Sequence, residues 1–260
     1  MKRVTKILIH ILVIVLLTLL TQVGGVIWLL SLFISHKINR KKRIIFPVLY
    51  LVFNMLIIPP AAKLFGREQL PIISKQLKPR NLIYPLLYRN YVNPELKSLL
   101  ETASEQLKYS GLAITYLDAN FPFFDGFPLL PHLSHNDGKK IDISFMYLDN
   151  EGNSTDKKPS LSGYGIYVNK SNQTSTSCIK KGYWQYDFPK YLTFGTFNKL
   201  DFDINNTTLL LNVFLNNPKT EKIFIEPYLK ESMGFSNTSK IRFHGCGAVR
   251  HDDHIHLQIK

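Results

Sequence analysis

Residues 251–260 read HDDHIHLQIK, and the alternation in their second half sets the expected fold class. Ile255, Leu257 and Ile259 fall on one side of an extended chain and His254, His256 and Gln258 on the other, since successive strand side chains point to opposite faces. The stretch is therefore a strand with one apolar face on a core and two imidazoles turned away from it. A purification tag would be homopolymeric and would not end in Leu257, Gln258, Ile259 and Lys260.

Working outward, KIDISFMYLD (140–149) repeats the pattern, with Ile141, Ile143 and Phe145 alternating with Asp142 and Ser144. LAITYLD (112–118) and EKIFIEP (221–227) are further strand candidates. NPELKSLLETASEQLKYSG (93–111) predicts a helix with Asn93 as cap, Pro94 at its first position and Gly111 as its stop. Its stripe of Leu96, Leu99, Leu100, Ala103 and Leu107 faces a core. NNTTLLLNVFLNN (205–217) and PYLKESMG (227–234) predict two more helices. Pro and Gly make NFPFFDGFPLLPHLSHNDG (120–138) an ordered loop. Residues 150–200 are polar, glycine-rich and irregular, with short strands expected at Tyr164–Val168 and Tyr183–Phe188. The expected class is α+β, a small antiparallel sheet with flanking helices.

The N-terminal quarter is different. From Ile7 to Ile34 no charged residue occurs, and the 28-residue run exceeds the ~20 residues that cross a bilayer. It is longer than a signal-peptide core, and no small-x-small cleavage site precedes the basic cluster Lys37–Arg43. A second uncharged run covers Ile44–Ala62. These predict a membrane hairpin over 1–62, with spans at about 7–34 and 44–62, a connector over 63–92 that Pro71, Pro79 and Pro85 interrupt, and a soluble domain over 93–260. Five basic residues in the short loop, against Lys2, Arg3 and Lys6 at the start, predict the loop inside and both termini outside. The domain would then be extracytoplasmic, on the periplasmic or cell-wall side.

The net charge of +13 dissolves when divided by region. Residues 1–62 hold 8 basic and no acidic residues, leaving 24 basic against 19 acidic in the remainder. That is no nucleic-acid signal, and no basic stripe interleaved with aromatics points to a nuclease; the surplus suits an anionic wall or lipid surface. No motif calls for an organic cofactor. Cys178 and Cys246 permit one disulfide on the oxidising side of a membrane, and two buried thiols fit the sequence equally well.

The chemistry lies in the histidines. HLSHNDGKKID places His132 and His135 three residues apart and Asp142 seven residues beyond His135. With His254 and His256 they supply imidazoles and one carboxylate, the donors that catalytic Zn²⁺ sites use. Three protein ligands leave a position for water, whose pKa falls toward ~7 when zinc-bound. A membrane metal sensor or carrier is the poorer use of these residues, because neither span contains a charged residue and His10 is the only imidazole within them.

PHLSHNDGKKIDI resembles the H-x-x-H-x-x-G-x-x-x-D element, and HDDHIH the H-x-x-H-x-H element, of the penicillin-insensitive murein endopeptidases. That family belongs with the lysostaphin-type peptidases, the D-Ala-D-Ala metallopeptidases and the Hedgehog signalling domain. The resemblance covers roughly Leu112 to the C-terminus. It implies one Zn²⁺ per chain on His135, Asp142 and His256, with His254 as a catalytic histidine serving as general base or oxyanion stabiliser. His132 and His251 occupy the remaining histidine positions of the two motifs, implied to orient ligands or water or to contact substrate; His251 is the second catalytic candidate, and Asn136 joins His132 as a ligand-orienting or substrate-contacting residue. Asn136 stands where the family commonly has Gln. The implied activity is hydrolysis of amide bonds in the peptide stems or cross-links of peptidoglycan, with no covalent acyl-enzyme. The alternative implied by the Hedgehog branch is a zinc-containing domain that binds a cell-wall peptide or protein partner without cleaving it.

Overall fold

A computed structural model describes residues 2–260, which divide into two compact units. One comprises 2–70, Ile83–Pro94 and Asp118–Gly138; the other comprises Pro71–Leu82, Glu95–Leu117 and Lys139–Lys260.

The first unit is mainly helical. Lys2–Thr21, Gly24–Lys37 and Lys42–Val52 are α-helices, the last continued by a π-helical turn at Phe53–Ile57 and by Ile58–Lys63. The apolar run 7–34 is thus not one span. It breaks at Gln22, where φ is 65°, in a region that costs any residue with a Cβ. Two helices, Val4–Thr21 and Lys42–Lys63, are long and apolar enough to cross a membrane; Gly24–Lys37 is apolar but shorter. The loop Asp118–Gly138 belongs to this unit. Its Phe121 and Leu129 share a buried cluster with Val23, Ile27, Ile58, Ala62, Tyr88 and Tyr91.

The second unit is built on a six-stranded sheet. Its strands are β1 (Leu77–Pro79), β2 (Ile114–Tyr116), β3 (Lys140–Ser144), β4 (Thr220–Phe224), β5 (Ile241–Arg242) and β6 (His254–Ile259). The spatial order is β5-β4-β6-β3-β2-β1. The four inner strands are antiparallel, as expected, but both outer pairs, β5 with β4 and β1 with β2, are parallel. The sheet is therefore mixed and larger than expected. β1 comes from within 63–92, so that stretch supplies an edge strand rather than only a connection. A three-stranded sheet joins Tyr147–Leu148 to Ser154–Thr155 and Asp201–Phe202.

Helix Pro94–Lys108 forms where expected and buries Leu96, Leu99, Leu100, Ala103 and Leu107. Helix Ile204–Asn216 is capped by Asp203, whose carboxylate accepts from the Asn206 N–H at 3.0 Å. Helix Pro227–Ser232 follows β4 closely. The strands expected at Tyr164–Val168 and Tyr183–Phe188 do not form. The first segment is irregular, and the second lies in a 3₁₀ helix, Trp184–Leu192, preceded by helix Gln173–Lys180. Aromatic content favours strands only where a pleated surface is there to receive it. Cys178 and Cys246 form a disulfide across 68 residues of sequence.

Candidate metal centre

β3 and β6 lie side by side in the middle of the sheet, with His256 directly opposite Asp142 and His254 opposite Ser144. Equal spacing of two along each strand therefore puts Asp142, Ser144, His254 and His256 on one face. The face is not open to solvent: Asp142 and His254 are 1% exposed.

Burial obliges each polar atom here to find a partner. Asp142 Oδ1 lies 2.9 Å from His256 Nδ1 and 3.7 Å from His254 Nε2. Its Oδ2 accepts from the Tyr164 hydroxyl at 2.7 Å. The Tyr164 ring also meets His254 edge-on, with centroids 5.0 Å apart. His254 Nδ1 faces Asp253 Oδ1 at 2.5 Å, while Asp253 Oδ2 accepts from the Gly165 N–H at 2.6 Å. Only glycine suits position 165: φ is +82°, and an added Cβ would fall 2.3 Å from the Pro189 carbonyl oxygen. Burial depresses the His254 pKa, but the carboxylates of Asp253 and Asp142 outweigh it and raise the imidazole to about 9. A cation held by Asp142 would oppose that rise.

His251 packs against the same cluster, its ring centroid 4.9 Å from that of His254 and 5.8 Å from that of His256. Burial, reinforced by the neighbouring imidazoles, lowers its pKa well below the ordinary value. Its backbone is held by Glu226, whose carboxylate accepts from the His251 N–H at 3.1 Å and from the Tyr186 hydroxyl at 2.6 Å. Behind it, Arg250 is clamped on Asp252 and stacked over Tyr167 at 3.8 Å.

In the helical unit, His132 Nδ1 lies 2.8 Å from Asp118 Oδ2, which also accepts from Arg89 at 2.8 Å, and the Arg89 guanidinium and the Asp118 carboxylate form an ion pair with a closest approach of 2.6 Å. Burial raises the Asp118 pKa, but Arg89 and His132 together bring it below the ordinary value. His135 Nδ1 lies 3.0 Å from the Ala119 carbonyl oxygen, a contact that orients the ring. Asn136 is fixed through its backbone, accepting from the Gly126 N–H at 2.8 Å.

His135, Asp142 and His256 form a buried group that can hold a metal ion, their ligand atoms all within 4.8 Å of one another. The donors fit a borderline-soft divalent cation: two imidazoles and one carboxylate, with second ring nitrogens or oxygens engaged by Ala119 and Tyr164. Of the other expected residues, His254 and His251 are gathered around Asp142 and His256, whereas His132 is tied to Asp118. Sequence reasoning missed Tyr164 and His244. The His244 ring stacks on Phe224 at 4.2 Å and lies 6.4 Å from that of His256; its one signal was nearness to Cys246.

The chain matches no known protein-family pattern, and no characterised protein matches it in sequence.

Proposed function

We propose that this protein is a membrane-anchored zinc metallopeptidase that hydrolyses amide bonds in the peptide stems or cross-links of peptidoglycan. One observation carries the reading. Two segments far apart in sequence contribute His135, Asp142 and His256 to a single buried group with ligand atoms within 4.8 Å, and three N/O ligands with a fourth position free are the donor set of catalytic zinc. When bound, zinc supplies a water of lowered pKa and polarises a carbonyl.

The chain's own residues do the rest. Tyr164 and His256 hold the Asp142 carboxylate in one orientation. Asp253, anchored by the Gly165 N–H, fixes the His254 ring with Nε2 turned toward Asp142. His254 is then positioned to carry the proton between attacking water and leaving amine, or to donate to the developing oxyanion. His251 packs against that ring and is the second catalytic candidate. The Cys178–Cys246 disulfide suits an extracytoplasmic setting, and the two long apolar helices suit anchorage in a bilayer.

The test is incubation of the detergent-solubilised full chain with purified sacculi, with and without a chelator, followed by analysis of released muropeptides. Metal-dependent release that His254→Ala abolishes, while zinc stays bound, supports the proposal. A zinc-loaded wild type that releases nothing overturns it in favour of the non-catalytic binding domain.

A further inference from the structure

The first helix, Lys2–Thr21, and the second, Gly24–Lys37, are separated by a reversal rather than a bend. Gly24 and Gly25 let them touch: a Cβ on Gly25 would lie 2.1 Å from Thr18 Oγ1 and 2.7 Å from the Ile14 carbonyl oxygen. His10 of the first helix meets Trp28 of the second at 5.8 Å between centroids and the Lys42 ammonium at 3.3 Å. Trp28 in turn packs edge-on against Phe46 of the third at 5.2 Å. Lys42, where the third helical run begins, is therefore level with the first half of the first helix. At the opposite end, Val23 and Ile27 share a buried cluster with Ile58 and Ala62. The three runs go up, down and up.

This ordering sorts the charges. Lys6 near the start and Lys37, Arg40, Lys41, Lys42 and Arg43 around the second connection fall at one end of the bundle, whereas residues 7–36 and 44–62 carry no Lys, Arg, Asp or Glu and the third run ends at the other side in Lys63 alone. Around the bundle the outward side chains are apolar: Leu8, Leu12, Val26, Phe33, Met55 and Leu56 are each more than half exposed. An apolar shell on every side is a lipid-facing surface, not that of a water-soluble bundle.

We propose that these three helical runs cross one bilayer as an antiparallel bundle, with the N-terminus and the basic end cytoplasmic and the loop Asp118–Gly138 at the outer face. The inference rests on the membrane reading above and replaces the two-span hairpin with both termini outside. Retention of Lys and Arg on the cytoplasmic side orients it. The loop is assigned to the other end by contacts within its own unit: the Phe123 N–H donates to Gln22 Oε1 at 2.9 Å, and Phe121 and Leu129 pack with Val23, Ile58 and Ala62. The second helix, at 14 residues, is about 21 Å long, shorter than a hydrocarbon core of ~30 Å. Flanking Lys and Arg side chains that reach the headgroups, and local thinning, accommodate the difference. Because that loop carries His132 and His135, the bundle fixes these residues beside the outer bilayer surface, which favours peptide substrates tethered close to the membrane.

The only cysteines are joined in the disulfide, so a substituted cysteine is the one reactive thiol. In spheroplasts expressing the full chain with an N-terminal epitope, the epitope should resist external protease. Ile38→Cys should react with an impermeant maleimide only after permeabilisation, and Leu64→Cys should react in intact spheroplasts. Digestion of the epitope from outside, or protection of Leu64→Cys, overturns the three-crossing arrangement. Release of the whole chain by alkaline carbonate refutes the membrane reading itself, a separate failure.

Discussion

Replacing Tyr164 by Phe removes one oxygen from the site and little else. The hydroxyl donates to Asp142 Oδ2 at 2.7 Å, and both residues are at most 2% exposed, so bulk water does not take its place. Phe keeps the ring that meets His254 edge-on at 5.0 Å. A hydrogen bond to a charged group contributes about 1.5–3 kcal/mol, and losing a partner that orients a metal ligand lowers affinity ~10–100-fold. Both lead to about 2 kcal/mol, or roughly 30-fold weaker zinc binding. Competition with a chromogenic chelator at neutral pH measures it directly. Tyr147→Phe serves as control, because its buried hydroxyl has no hydrogen-bond partner among the described residues; its zinc affinity should match wild type. Losing a donor also makes the carboxylate slightly more basic, an effect of opposite sign. Unchanged or tighter zinc binding by Tyr164→Phe would show that orientation of Asp142 does not govern the site, and the assigned donor set would fall with it.

Further outcomes follow from single contacts. His256→Ala should abolish stoichiometric zinc in the purified chain by elemental analysis, whereas His254→Ala should retain it and lose ~10²–10⁴-fold in sacculus hydrolysis. Serine at both Cys178 and Cys246 releases a loop of 68 residues and should cost about 4 kcal/mol by the chain-entropy relation, read as a lower urea midpoint. Burial raises the Glu226 carboxyl above its ordinary 4.5, against hydrogen bonds from Tyr186 and the His251 N–H. A group whose pKa is higher in the fold contributes stability that is full below its unfolded value and lost as pH rises through the folded one. Wild type should therefore lose stability as pH rises above about 4.5, and Glu226→Gln should flatten that part of the curve, measured by urea unfolding at successive pH values. Gly165→Ala should unseat the amide that holds Asp253, lowering both the thermal midpoint and hydrolysis.

The inner strands were legible because Ile141 and Ile143, and Ile255, Leu257 and Ile259, mark one face at a period that sheet geometry enforces. Helix Pro94–Lys108 was legible for the corresponding reason at a period of 3.6. What periodicity does not give is what covers the other face. Asp142, His254 and His256 were expected to point away from the core, and they do leave the apolar face, only to be buried by Tyr164 and its neighbours from an irregular stretch. That stretch is held by tertiary contacts such as Gly165 to Asp253 and Val168 to Asp252, which leave no local pattern. The break at Gln22 was hidden similarly. Hydropathy sums apolar residues along 7–34, whereas the reversal depends on one left-handed backbone and on two small residues that let helices touch. β1 is only three residues long, and its pairing with Ile114–Tyr116 decides its conformation more than its own composition does.

Within the C-terminal unit, Asp142, Asp252, Asp253 and Glu226 are each at most 1% exposed, alongside His251, His254 and His256 at 4% or less. Taking such groups out of water is costly even when they are paired, and apolar residues of similar size would commonly stabilise the fold more. β3 and β6 already carry Ile and Leu on their other faces, so the sheet has no need of polar residues at 142, 254 and 256. Sites that break the local rules of stability in this way are where function resides. Arg250 offsets Asp252, and Tyr186 and the His251 N–H serve Glu226. Asp142 accepts from the Tyr164 hydroxyl and lies against the imidazoles of His254 and His256. A divalent cation held by His135, Asp142 and His256 in the folded chain and not in the unfolded one should raise unfolding stability. At zinc a hundredfold above its Kd the gain is about 2.7 kcal/mol; a midpoint insensitive to zinc and chelator would contradict a metal role for these three residues.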